Sequence, residues 1–329
     1  TKAGAKLYPV YSHHLSSYSL MKKIIVLVAI VLGIAYWLKP QLKHFLSSGS
    51  HSASTPDTVY HKQETSPSYY TDGDIADEII NGDTTLLELP RLAGGNKNYF
   101  LTHRAGGRVN YSMEYDVTKL HTRWVAFSFD RETAQDRVPR TDAWGWDPKL
   151  PAVYDTSSFF RRSGYSRGHL VASEDRTFSK EANEQTFYYS NMSPQLQAHN
   201  AGIWHRLENR VQSWGRDRSF CDILYVAKGG TIREDQILPE RLKGKMVIPQ
   251  YYWVALLMKR GKSYHSLAFL TEHKVYPKGA RIDELTLSVR ELEQFTGLDL
   301  FHHLPDEIEQ AVETESPQGR QSRQLWWKQ

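Results

Sequence analysis

The sequence predicts an α+β fold, with a central, mainly antiparallel sheet flanked by helices. Apolar runs rich in β-branched and aromatic residues recur at 124–129, 222–227, 246–258 and 264–270 and read as strands. Two stretches, 200–214 and 288–296, instead carry helical periodicity. Strands and helices also fail to alternate regularly, as a parallel βαβ sheet would require. Taken in order, Trp124-Val125-Ala126-Phe127-Ser128-Phe129 forms the first clear strand. In the second, Cys221 precedes Ile223, Leu224, Tyr225 and Val226 and reads as a buried core thiol. The run at 246–258 contains Pro249, which cannot donate to a ladder, so an edge or a bulge is expected there. In the helix at 200–214, Ile203, Leu207 and Val211 recur at four-residue spacing and Trp214 follows three later. Gly297 closes the helix at 288–296 as a left-handed terminating residue.

At 329 residues and 40% hydrophobic, the chain has material for one sizeable core, and its polar stretches lie at its two ends. A net charge of +4 suits a nucleic-acid partner, yet a solvated basic surface explains it equally well. The single cysteine excludes an internal disulfide framework and a cysteine zinc cluster. Met21, Lys22 and Lys23 precede an apolar run at 24–38, the layout of an export signal, and residues 1–20 read as upstream sequence or a remnant. As a helix the run spans about 22 Å, short against a bilayer core of about 30 Å. No small-residue cleavage site follows closely, so an uncleaved membrane anchor within 21–46 is favoured over a cleaved signal peptide. The expected location is therefore outside the cytoplasm, membrane-anchored through 24–38, or secreted if the signal is cleaved. Residues 47–74, rich in Ser, Thr and Pro, read as a flexible linker. A folded domain is expected over 75–313, and a loosely ordered polar tail over 314–329.

The residues that carry chemistry are concentrated at 164–208. Gly164-Tyr165-Ser166-Arg167-Gly168-His169 delivers Arg and His side by side. A loop with Ser190-Asn191-Met192-Ser193-Pro194-Gln195 follows, and then a helix carrying Asn200, Trp204 and Glu208 at four-residue steps on one face. Phosphodiester hydrolysis needs a base for the water, positive charge on the phosphorus oxygens and help for the leaving oxygen. A neutral imidazole such as His169 suits the first task. A guanidinium such as Arg167 suits the second, and a hydrated Mg²⁺ held by the oxygen of Asn200 suits the third. Taken singly these residues mean little: Arg-Gly-His is commonly a turn, Asn before an apolar helix an N-cap, and Glu208 a surface residue. Their combination in this order points to a site.

This segment resembles the DNA/RNA non-specific endonucleases of the ββα-metal (His-Me finger) superfamily, including the endonuclease G type. Their signature is Asp-Arg-Gly-His, then Ser-Asn-x-x-Pro-Gln, then Asn-x-x-x-Trp-x-x-Leu-Glu. The resemblance continues more loosely from about Tyr99 to Val312. It implies a ββα-metal finger within the α+β fold and cleavage of DNA and RNA without sequence preference, leaving 5′-phosphate ends. It also implies that His169 is the general base, Asn200 the sole direct protein ligand of Mg²⁺ (with Mn²⁺ as a substitute), and Glu208 the carboxylate that orients water at the metal. Arg167 would lie near the scissile phosphate, Asn191 would help to hold the site, and Arg140, in Pro139-Arg140-Thr141-Asp142, matches an upstream phosphate-contacting arginine more weakly. Family members are often dimers; a homodimer and an inhibitor protein remain open partners. Ser166 departs from the usual Asp. With one charge fewer, the site is expected to bind the cation more weakly and to hold the His169 pKa lower, unless a neighbouring carboxylate such as Asp155 or Glu174 substitutes.

Two other readings compete. One is a catalytically inactive, membrane-tethered nucleic-acid-binding domain, which would not need to keep base, metal ligand and carboxylate together. The other is a zinc hydrolase using some of the 14 histidines. It finds no His-Glu-x-x-His spacing, and His302-His303 is merely an adjacent pair.

Overall fold

The computed structural model describes residues 86–327. The expected upstream segment, the anchor at 24–38 and the linker at 47–74 lie outside the described residues. Among those described, no helix is long and apolar enough to cross a membrane.

The chain opens with three strands, β1 (Asn98–Ala105), β2 (Arg108–Asp116) and β3 (His121–Phe129). A short hairpin follows, made of β4 (Ser166–His169) and β5 (Met192–Gln195), with helix α1 (Lys180–Gln185) between its arms. A continuous helical segment comes next: α2 (Gln197–His199), a π-helical turn at Asn200–Trp204, and α3 (His205–Arg216). Strands β6 (Ile223–Gly230), β7 (Ile237–Leu242), β8 (Met246–Pro249), β9 (Tyr251–Arg260), β10 (Ser263–Glu272) and β11 (Thr286–Leu287) complete the strand set. Helices α4 (Val289–Thr296), α5 (Asp306–Glu313) and α6 (Arg320–Trp327) follow.

Seven strands form the central sheet in the order β1-β2-β3-β6-β9-β10-β11, every neighbouring pair antiparallel. Strand alternation sends side chains to two separate cores. Val125 and Phe127 of β3 face a core shared with Trp204, Leu207, Val211 and Trp214 of the helical segment. Trp124 and Ala126 face a second core with Val289, Leu292 and Val312 of α4 and α5. Helices thus cover both faces of the antiparallel sheet, as the sequence predicts. Pro249 divides the long apolar run as its chemistry requires: β8 pairs with β7 in a small separate sheet, whereas β9 joins the central one. Cys221 is buried, its thiol 3.5 Å from the Trp214 carbonyl.

The tail departs from the expectation of loose order. Its last stretch is α6, and Trp326 is fully buried with its ring 5.0 Å from that of Trp214 and 5.4 Å from that of Phe220. Polar residues dominate the tail by number, but one large indole placed against an apolar face outweighs them in burial energy.

Candidate active site

The β4–β5 hairpin and the helical segment after it make the local frame. Arg167 pairs with Pro194 and His169 with Met192 across the hairpin. Gly168 lies between them, and a Cβ there would come within 2.4 Å of the buried Gln195 side chain. Glycine therefore lets β5 close over β4. Asn191 fixes the exit of β4: its Nδ2 donates to the carbonyls of Val171 (2.9 Å) and Thr186 (2.7 Å), and its Oδ1 accepts from the Val171 N–H (2.9 Å). Asn191 is fully buried and its side chain is spent on backbone. It therefore holds the backbone beside the site.

His169 lies between the edges of Trp144 and Phe187, with ring centres 5.5 and 5.1 Å away. The Arg167 backbone carbonyl accepts a hydrogen bond from the ring, and Nε2 is buried without a protein partner. Burial, then the charges of Arg140 and Lys228, lower the His169 pKa to about 3, so the imidazole is neutral at physiological pH. Position 166 is not among the causes of this shift. Ser166 instead donates from Oγ to Oε1 of Gln197 at 2.5 Å, tying β4 to the first turn of α2.

His169, Asn200, Glu208 and Arg140 line one cavity of about 350 Å³. The sequence expects a continuous α-helix to align Asn200 with Glu208, whereas the structure has a π turn at 200–204 with non-helical backbone at Gly202. The wider π turn still delivers both side chains to the same cavity, and such turns recur at functional sites. Arg140 bonds to Asp142 (Nε–Oδ1 2.9 Å) and to the Ser173 hydroxyl (Nη1–Oγ 3.0 Å), with its guanidinium 4.6 Å from the Phe187 ring centre. Arg167 packs 3.8 Å over the Trp144 ring and donates to the Tyr189 hydroxyl at 3.3 Å. Both arginines, with His169 and Asn200, also line a wider adjoining groove of about 910 Å³.

Beneath the cavity lies a charged cluster that the sequence reading missed. The Lys228 Nζ is 2.7 Å from Asp175 Oδ2 and 3.5 Å from Glu208 Oε1, with side-chain exposures of only 3%, 1% and 11%. Asp175 also accepts from the Ala172 N–H and from Gln212 Nε2, both at 2.9 Å. Burial pushes the Glu208 carboxyl up to about 7, against the downward pull of the Lys228 charge. The available signal was Lys228 itself, a cation directly after the apolar run at 222–227. Burying it unpaired would be costly, so a carboxylate partner is required.

The donor set suits a hard, hydrated dication: an amide oxygen at Asn200 and a carboxylate at Glu208, whose buried Oε1 has the Lys228 ammonium 3.5 Å away as its charged neighbour. Such an ion retains most of its water, so three converging protein ligands are not needed. The acidic trio Glu293, Asp299 and Glu313, whose ligand atoms do converge, lines a different pocket.

Known nucleases are similar to this chain in sequence and in fold. A profile of the DNA/RNA non-specific endonuclease family matches residues 96–307. A nuclease from Nostoc sp. is 30% identical over 217 residues, covering 62% of this chain and 75% of that protein. The mitochondrial nuclease EXOG of Danio rerio is 28% identical over 206 residues, covering 58% of this chain and 59% of that protein, under two thirds of its length. The crystal structure of an EndoG/EndoGI complex, concerned with EndoG inhibition, contains a chain that superposes with a TM-score of 0.58. It is 19% identical and covers 69% of this chain and 94% of that one, a likeness of fold.

Proposed function

The chain belongs to the DNA/RNA non-specific endonuclease family and is a nuclease, and on that premise we propose that it hydrolyses phosphodiester bonds of both DNA and RNA at the cavity of His169, Asn200, Glu208 and Arg140. One observation carries the mechanism: a neutral His169, whose buried Nε2 has no hydrogen-bond partner, lines the cavity that Asn200 and Glu208 share. In this reading His169 Nε2 takes a proton from water as the water oxygen bonds to phosphorus. The phosphorus bond to the 3′ oxygen then breaks, that oxygen takes a proton from water to become the 3′ hydroxyl, and the phosphate stays on the 5′ side. Arg140 and Arg167 hold the non-bridging oxygens, and their contacts to backbone carry no direct base information. Glu208 accepts hydrogen bonds from water and fixes its direction. Asn200 would hold Mg²⁺, or Mn²⁺ in its place, and the bound ion would supply positive charge for the departing oxygen.

The purified full-length chain, incubated with plasmid DNA and with RNA, should cleave both in Mg²⁺ and neither in chelator. His169→Ala should lower the rate by about 10²–10⁴-fold or more. Binding without cleavage by the parent protein would favour the inactive, tethered reading. Full cleavage by His169→Ala in chelator would refute the mechanism. Export, with tethering through 24–38, is a further proposal, supported by the apolar run and its preceding lysines. Cell fractionation tests it, a soluble cytoplasmic protein being the contrary result. A homodimer and an inhibitor protein are proposed partners, the second by analogy with the inhibited EndoG complex.

A further inference from the structure

A second groove, of about 770 Å³, lies along α3 outside the catalytic cavity, with Arg206, Asn209 and Arg210 on its helix wall. Arg281 and Ile282 form another wall and Trp327 of the tail helix a third. Round α3 the residues run from Glu208 through His205 and Asn209 to Arg206 and Arg210, of which His205, Asn209 and Arg210 are exposed. His205 lines the catalytic cavity and Asn209 the second groove. The two side chains meet, with Asn209 Nδ2 3.2 Å from His205 Nε2. The two depressions are therefore neighbours across one helix surface.

The chemistry of the groove is that of a polyanion site. Arg206 donates to the Ala280 carbonyl at 2.7 Å, which fixes its side chain without neutralising it. The Arg210 guanidinium lies 5.8 Å from the Trp214 ring centre and 5.9 Å from that of Trp327, again against neutral groups. Neither arginine makes an ion pair among the described residues, whereas Arg281 is paired with Asp283. Two uncompensated cations beside a half-buried indole match the combination by which single strands are held: charge for phosphates and an aromatic face for bases.

We infer that this groove is a second strand-binding site, which takes the sugar–phosphate backbone of the substrate a few nucleotides from the bond being cut. This rests on the nuclease reading above. A helix with its side chains is about 10–12 Å across, a few nucleotide steps at a rise of about 3.4 Å each. Substrates too short to cross α3 therefore do not reach it.

The test compares a single-stranded oligonucleotide of about twenty residues with a dinucleotide, using the full-length chain in Mg²⁺. If the parent protein cuts neither, the nuclease reading fails and the groove is not in question. If it cuts both, Arg210→Gln should raise KM for the long strand about tenfold, with kcat held within twofold and the dinucleotide kcat/KM little changed. The salt dependence of log KM for the long strand should flatten by about 0.7–0.9, one phosphate contact. Arg210→Lys should recover most of the affinity, which a purely packing role for the guanidinium would not allow. Trp327→Ala should weaken the long strand alone and leave its salt dependence unchanged. Equal losses on both substrates, or an unchanged KM and salt slope for the long strand, would overturn the inference. The second result would leave the cations to an acidic protein partner.

Discussion

Glu208 sits where three demands compete. Burial favours its neutral form, Lys228 at 3.5 Å favours its charged form, and water chemistry in the cavity needs an acceptor. Because its pKa rises from 4.5 to about 7 on folding, the folded state binds this proton more tightly than the unfolded state. The stability that Glu208 lends is present in full below about pH 4.5 and is lost as pH rises through about 7. In Glu208→Gln this dependence should vanish. Relative to the parent, the variant should gain stability progressively as pH rises from about 4.5 to about 7. Urea unfolding in chelator at pH 5, 6, 7 and 8 reads this directly, and parallel curves for the two proteins would refute it. His169, Asn200 and Glu208 were legible as residues because chemistry restricts which side chains can serve. Their environment was not: the Lys228–Asp175 pair joins a strand to a loop 53 positions away, and no local pattern announces it.

The hairpin shows how an element sets what its residues can do. Gly168 is sandwiched between Arg167 and His169, and a methyl group there would run into the side chain of Gln195, which is fully buried. Gly168→Ala should cost about 1–3 kcal/mol through overpacking. It should also lower kcat more than it raises KM, because the adjacent imidazole is displaced. Chemical unfolding and steady-state kinetics check both, and an unchanged kcat would count against a close-packed hairpin. At this scale the helix at 288–296 was read almost residue for residue, because its ends are written in local chemistry. Ser288 and Glu291 form a reciprocal cap, and Gly297 takes the left-handed conformation at φ 73°. The π turn at 200–204 was not legible, since a periodicity of four fits an α-helix and a locally widened one equally well. Its register is set by tertiary packing of Ile203 and Trp204, not by their spacing.

At the level of the whole molecule, the sheet order could not be read from the sequence. Antiparallel pairing was predictable from irregular alternation, but the adjacency of β3 with β6, and of β6 with β9, is a matter of long-range packing. The tail is the clearest case: its composition says polar, its fold says core. Trp326→Ala should destabilise the protein by about 3–5 kcal/mol, visible as a lower Tm, and a shift within error would show the docking of α6 to be superficial. The same docking brings three indoles together, with Trp214 edge-on to Trp326 at 5.0 Å and to Trp327 at 5.3 Å. Indole rings that near, and set at 68° and 70° to one another, couple their ultraviolet transitions, and the expected result is a pair of circular-dichroism bands of opposite sign. The chain thus carries a label-free optical gauge of its own C-terminal closure, a couplet that collapses when α6 lifts away even while the backbone signal of the sheet persists.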